Sequence, residues 1–217
     1  MTFSELRTFI ADYLNRQDLT DTQLDHFIKQ AESEFQRVIR HRKMVKRVTA
    51  NVDSHFTNLP PDFLQIINAQ INTTPKSILR QASMETADQV RLSNGDVTGR
   101  PEYYAIVGET LELVPRPDAE VELELTYYEK IPALSASNTT NWLLDDYQDI
   151  YIYGVLKQAL VFLMEDERLP TMAALYTSAV AALNEEQESF NYGAGSLTMK
   201  RRTYGGSHNP RPIYRGN

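Results

Sequence analysis

Asp145, Asp146 and Asp149 are the densest set of carboxylates with a spacing that could serve acid–base chemistry, and His26, His41, His55 and His208 are the only imidazoles. Neighbouring carboxylates can share a proton or activate water when a pocket drives their pKa values apart. These three fall where a helical pattern begins, and the positive end of a helix dipole favours acids there without any catalytic cause. The histidines show no His-Glu-x-x-His and no pair three or four residues apart, so they offer no metal-ligand spacing. The absence of cysteine removes thiolate catalysis, cysteine-zinc sites and disulfides, and fits folding in a reducing cytosol. No phosphate-cradling Gly-x-x-x-x-Gly-Lys and no Gly-x-Ser-x-Gly elbow is present, and Gly193-Ala194-Gly195 lacks the strand and helix of a dinucleotide fingerprint. Glu165-Asp166-Glu167-Arg168 reads as a solvated turn rather than a cation site. The expectation is a protein that is not an enzyme and carries no cofactor and no metal. A hydrolase working through the three aspartates is the rival that a convergent pocket would support.

A second constellation sits at the C-terminus, where Tyr192, Lys200, Arg201, Arg202, Tyr204, Arg211, Tyr214 and Arg215 interleave cations with aromatic rings. The chain as a whole carries −7, yet the stretch after Phe190 has five cations and no acid, which leaves −12 on the rest. Arginine and tyrosine are enriched at protein interface hot spots, and the same pair can contact phosphates and stack on bases. Three readings stay open for this tail: capture by an acidic protein groove, nucleic-acid binding, or plain solubility.

The elements that must position these groups follow from period and punctuation. Thr2 with Glu5 makes a capping box ahead of Leu6, Phe9, Ile10, Tyr13 and Leu14, predicting a helix to about Arg16. Thr20 with Gln23 repeats the device before Leu24, Phe27, Ile28, Ala31, Phe35, Val38 and Ile39, and the short connection predicts an antiparallel hairpin. Arg37, Arg40, His41, Arg42 and Lys43 then gather at the negative end of that helix. From Met44 to Ile131 the period falls to two. Glu120–Lys130 alternates as a half-wet strand, and Tyr103–Val107 and Thr110–Val114 flank Gly108-Glu109, a two-residue type II′ turn. Ser83–Leu92 reads as a short helix, followed by a polar loop to Pro101. Leu143 to Leu163 predicts a third helix, with Gly154 inviting close packing, and Met172 to Leu183 a fourth that ends near Phe190, with Pro170 in its first turn. No apolar run approaches a membrane span and the N-terminus has no secretory pattern, so a soluble chain with no membrane partner is expected.

The expected fold is α+β, a four-helix bundle built from N- and C-terminal hairpins, with an antiparallel β region inserted and an extended C-terminal arm. The divisions are 1–43 and 135–190 for the two bundle halves, 44–134 for the β insertion and 191–217 for the basic arm. Trp142, Leu143, Leu144, Tyr147, Tyr151 and Gly154 are the expected packing residues of the bundle and of contacts between subunits.

Three stretches together resemble the head-to-tail adaptor, or connector, proteins of tailed bacteriophages. They are Phe9-Ile10-Ala11-Asp12-Tyr13-Leu14-Asn15-Arg16-Gln17-Asp18-Leu19-Thr20 with the following Phe27–Glu32 and its basic helix end; Leu59-Pro60-Pro61-Asp62-Phe63-Leu64; and Asn141-Trp142-Leu143-Leu144-Asp145-Asp146-Tyr147-Gln148-Asp149-Ile150-Tyr151-Ile152-Tyr153-Gly154, with Glu165–Arg168 beyond it. Gln148 departs from that pattern, which commonly has proline there. The resemblance implies a subunit of a homo-oligomeric, usually twelvefold ring in the virion, assembled in the host cytoplasm. Such a ring sits below the portal protein, passes DNA through its lumen without sequence-specific binding, and offers its other face to a tail or nozzle protein. In such proteins the C-terminal arm reaches the portal, which makes Tyr192 through Arg215 the expected portal-binding segment and monomers the expected state before the portal is met. A nucleic-acid-binding protein acting through the arm is the alternative.

Overall fold

The computed structural model describes residues 1–192 apart from 17, 18, 94, 96, 165 and 166, and the side chains of 188–192 are outside that description. The chain opens with α1 (Phe3–Leu14) and α2 (Asp21–Val38). Both capping boxes form: Thr2 and Thr20 each accept from the third helical N–H while Glu5 and Gln23 reach back. Asn15 ends α1 at φ 49°, a left-handed position that Asn tolerates better than most residues.

After a 3₁₀ turn at Arg42–Met44 come β1 (Val45–Val52), β2 (Phe56–Asn58), β3 (Phe63–Ile71), β4 (Ser77–Ile78), β5 (Arg80–Gln81), α3 (Met84–Ser93), β6 (Tyr103–Val107), β7 (Thr110–Val114) and β8 (Val121–Glu129). They make two four-stranded sheets, ordered β1-β8-β3-β4 and β2-β7-β6-β5. Val121, Leu123, Leu125 and Tyr127 of β8 are buried while the residues between them are half-buried or exposed, and β8 lies at the centre of the first sheet with β1 and β3 antiparallel on either side. Gly108 takes φ +62° and Glu109 does not, as the tight β6–β7 turn requires. The chain closes with α4 (Trp142–Asp146), α5 (Gln148–Leu163) and α6 (Leu169–Tyr192).

The structure is α+β, but the four-helix bundle with one antiparallel insertion does not describe it. The described residues hold six α-helices, and the expected third helix is two, broken at Tyr147 (φ −131°, ψ 59°). α5 buries Ile150, Tyr151, Gly154, Val155, Leu156, Ala159 and Leu160, which wrap around most of its circumference. A helix apolar on so many sides sits at a centre instead of forming one wall of a ring of four. Accordingly α1, α2, α4 and α6 all pack on α5. The β part is not a single antiparallel region either, because β5 runs parallel to β6. Parallel neighbours need a crossover, and α3 supplies it between Gln81 and Tyr103. Residues 193–217 of the expected arm lie outside the described residues.

Two main cores result, one among the helices and one between the sheets. Between α2 and α5, a Cβ on Gly154 would stand 2.7 Å from two carbons of the Phe35 ring. That ring is buried between Tyr151 (centroids 5.0 Å apart, edge-on) and Tyr176 (6.1 Å, stacked), so it has nowhere to retreat. Gly154→Ala gains helix propensity of about 1 kcal/mol and loses more to overpacking, for a net destabilisation of about 1–2 kcal/mol. Urea denaturation of the two proteins measures it, and an unchanged or raised midpoint would show the ring to be movable.

Candidate functional site

A network of buried and half-buried polar groups lies where the helices meet the first sheet. Glu32, on α2, is buried and accepts from the Leu134 N–H (2.8 Å) and the Tyr151 hydroxyl (3.1 Å). Tyr151 in turn accepts from the Asn141 amide (2.6 Å), whose other bond goes to the Pro132 carbonyl (2.7 Å). The Asn141 carbonyl oxygen caps α4 through the Leu144 N–H. One helical turn from Glu32, Gln36 holds Ile131 with two bonds, donating to its carbonyl (2.7 Å) and accepting from its N–H (3.0 Å). The strap 131–141 between the last strand and α4 is thereby pinned along α2. Burial pushes the Glu32 carboxyl above the usual carboxylate range, against the pull of its two donors. Burial, then the nearby Glu32 charge, pushes the Tyr151 phenol upward.

The next layer is aromatic. His41, grouped in sequence with the cations of the α2 terminus, is fully buried. It stacks on Trp142 (5.3 Å between centroids, 18°) and meets the edge of Tyr147 (5.8 Å, 73°). Its Nδ1 accepts from the Lys43 N–H at 3.3 Å. Burial holds the imidazole below its ordinary pKa; the nearby Glu186 and Asp146 carboxylates oppose that and the Arg42 and Lys43 cations reinforce it. Lys43 pairs with Asp146, the Arg42 N–H donates to Gln187 (2.8 Å), and the Tyr147 hydroxyl donates to Glu186 (2.9 Å), with burial and that carboxylate driving the phenol to about 12. The end of α6 is thus fixed to the start of the β region.

The Leu59–Leu64 stretch is a third fastening. Asp62 accepts from the Tyr127 hydroxyl (2.8 Å) and from Lys46, while its carbonyl accepts from the Lys130 N–H (2.7 Å). Burial raises the Asp62 carboxyl, but the Lys46 and Tyr127 bonds outweigh it and leave the pKa low.

Of the expected packing residues, Leu143, Leu144 and Tyr151 are buried in the helical core, Gly154 faces Phe35, and Trp142 and Tyr147 enclose His41. These six lie on α4, on α5 and at the break between them. Tyr192 ends α6, its side chain outside the description, and Lys200, Arg201, Arg202, Tyr204, Arg211, Tyr214 and Arg215 lie outside the described residues. Asp145, Asp146 and Asp149 are exposed and do not face one another across a cavity: Asp146 is spent on Lys43. His26 is exposed, and His55 lies 2.9 Å from Glu112 of β7, in the second sheet and away from the His41 cluster. Among the described residues no group of three or more acids and histidines could hold a metal ion, and no helix is long and apolar enough to cross a membrane. Exposed apolar side chains include Phe9 and Tyr13 on α1 (6.3 Å apart) and Val161 and Phe162 near the end of α5. Sequence reasoning missed Glu32, Gln36 and Asn141. Glu32 had a signal: it falls at helical spacing between Ile28 and Phe35, inside the apolar stripe.

Compared with known proteins, the chain matches over residues 1–200 the family described as SU10 adaptor protein. No curated protein is similar enough in sequence to match.

Glu32→Gln keeps an acceptor and relieves a buried charge, so its stability at pH 7–8 is expected to equal or exceed that of the native chain. Glu32→Ala leaves the Leu134 N–H and Tyr151 hydroxyl without their partner and costs about 2–3 kcal/mol. Urea titration ranks the three, and equal loss in both variants would sink the account. For His41, the folded pKa lies below the unfolded one. Its contribution is complete above about 6.5 and is lost as the pH falls from there toward the folded value. Glu32 has the opposite sign, since its raised pKa makes protonation relieve a penalty on the way down to about 4.5. His41→Phe should therefore lose less stability than the native chain between pH 7.5 and 5.5, and parallel curves would exclude a buried neutral imidazole as the cause.

Proposed function

The chain belongs to the SU10 adaptor protein family, a family of phage head-to-tail adaptors, and from that premise we propose that it is one subunit of a twelvefold ring bound below the portal. It is a phage structural adaptor; ring, portal docking, channel and tail face are the finer reading. The match over residues 1–200 carries it, because that span takes in all three fastenings and every element of both layers.

The geometry supports this reading in three ways. The helices and the first sheet are tied by the buried Glu32 and half-buried Gln36 bonds at their junction, with further bonds at its surface, which suits a part that bears load between two larger assemblies. Phe9, Tyr13, Val161 and Phe162 give the helical part exposed apolar surface of the kind that subunit contacts use. The charge of −12 outside the tail suits a channel wall that DNA slides along, and the basic arm suits an acidic portal surface. In this role Lys200, Arg201, Arg202, Arg211 and Arg215 supply charge, and Tyr192, Tyr204 and Tyr214 supply anchors. The tail or nozzle protein meets the ring's opposite face, and Trp142, Leu143, Leu144, Tyr147, Tyr151 and Gly154 shape the body that neighbouring copies pack against. The ring works in the virion, assembles in the host cytoplasm, carries out no chemistry and needs no cofactor.

Co-sedimentation with portal rings of the same phage tests this with two forms, full length and ended after Ser189. The full-length chain should travel with the rings at a fixed ratio and the shortened one should not. Binding by both forms would move the anchor to the folded body, and binding by neither would overturn the adaptor reading. If instead a peptide of residues 191–217 retards DNA strongly and loses this steeply with salt, the arm is a nucleic-acid handle.

A further inference from the structure

The two sheets are joined on one side by a very short crossing. β4 pairs with Gln70 and Ile71 of β3, the Leu79 N–H donates to the Ala69 carbonyl (2.9 Å), and β5 continues along Tyr103 and Tyr104 of β6. With two residues each, β4 and β5 cover only one end of the strands they join. Among the described residues, the 63–68 stretch of β3 has a strand partner only in β8, and Ala105–Val107 of β6 only in β7. Between these two edges runs a groove of about 720 Å³, lined by Pro60, Leu64, Gln65 and Ile66 on one side and Gln81 and Ile106 on the other. An open edge presents unpaired N–H and C=O groups that template another strand, and natural proteins cover such edges. Two of them facing one groove of mixed polar and apolar lining make a seat for an extended segment, held by main-chain bonds with alternate side chains turned inward.

The chain itself supplies the segment. α6 delivers its end to the mouth of this groove: Gln187 is bonded to the Arg42 N–H, and two residues earlier Arg40 donates to Gln65 (3.0 Å), which lines it. From Gln187 the helix rises only about 7 Å to Tyr192 at 1.5 Å per residue, so the residues that follow Tyr192 start close to the groove. Among them, Leu197-Thr198-Met199-Lys200-Arg201-Arg202-Thr203-Tyr204 holds two of the three aliphatic side chains after Gly195, spaced by two as a strand needs, with Thr198, Lys200 and Arg202 on the other face.

We propose that the groove between β3 and β6 is a strand-accepting site whose occupant, in the free subunit, is Leu197–Tyr204 of the same chain. Docked there, the arm covers both open edges and is withheld from other surfaces until a partner that binds it more tightly draws it out. This does not rest on the portal reading: any acidic partner that captures the arm must compete with the groove. It gives a physical reason for subunits to stay apart before assembly, since open edges in a free subunit would pair with those of other copies.

Hydrogen–deuterium exchange on the full-length chain, read by mass spectrometry, tests it against a variant carrying Leu197→Pro and Met199→Pro. Proline at both positions removes two of the segment's N–H groups and leaves the folded body untouched. Peptides covering 197–204, 63–68 and 105–107 should exchange at least tenfold more slowly in the native chain than in the variant, at a rate independent of protein concentration. Protection of the arm without the two edges would place it elsewhere and overturn the proposal, as would equal exchange in both proteins. Protection that grows with concentration would assign the groove to a second copy and exclude the same-chain arm. The portal co-sedimentation is a separate readout, so failure of one reading leaves the other standing.

Discussion

A buried carboxylate with two donors holds this fold together across the length of its sequence. Glu32 sits on the second helix, yet the groups it binds belong to the strap at 134 and to the fifth helix at 151. A charge taken out of water is costly unless its lone pairs are filled, so Glu32 tolerates burial only while the strap and Tyr151 are both in place. The same requirement runs onward through Tyr151 to Asn141, whose amide must reach Pro132 while its carbonyl starts the fourth helix. Misplacing any one of these groups strands another. Packing alone would accept several ways of laying a strap over apolar helices, whereas this chain of bonds accepts one.

Because the strap is fixed, so is the first sheet. Gln36 grips Ile131, two residues after β8 ends, and β8 lies between β1 and β3. On the other side of the junction, His41 is wedged against Trp142 and Tyr147, just before β1 begins. The sheet is therefore held at the start of β1 and at the end of β8, which are paired with one another at Val45 and Tyr128. Asp62 adds the third point by clasping Tyr127 and Lys46. The first two tie the sheet to the helices, and the third locks the start of β3 to β8 and β1 within the sheet.

What could be read in advance followed from local physics. Capping boxes at Thr2 and Thr20, the alternation from Val121 to Tyr127 and the Gly108-Glu109 turn each depend on a few consecutive residues, and each formed as expected. The failures share a different cause. The break at Tyr147 is not marked by glycine or proline, and the residue at it meets His41, more than a hundred residues away, edge-on. β4 and β5 are too short to show a period, so the crossing between sheets and the parallel pair were invisible, and with them the departure from a plain antiparallel region. The bundle failed because an apolar stripe tells which face is buried but not how many neighbours bury it. Glu32 was hidden by the sound rule that a charge on a helix faces water.

The stretches whose pattern resembled the phage adaptors are the fastenings themselves: the Pro60-Pro61-Asp62 clasp, the Asn141–Tyr151 run and the helix pair that carries Glu32 and Gln36. That explains why the pattern identified the family more readily than it located a site. Residues chosen to lock a body have their polar atoms turned toward one another, and a group already satisfied inside has nothing left to offer a ligand. Recognition has to be carried by groups the body does not use. The outward rings of Phe9, Tyr13 and Phe162 are in that position, as are the edges of β3 and β6 that have no strand partner among the described residues. A protein built in this way divides its labour between a locked junction that keeps geometry and surfaces left incomplete on purpose, and partners are to be sought where strands lack a neighbour and rings lack cover.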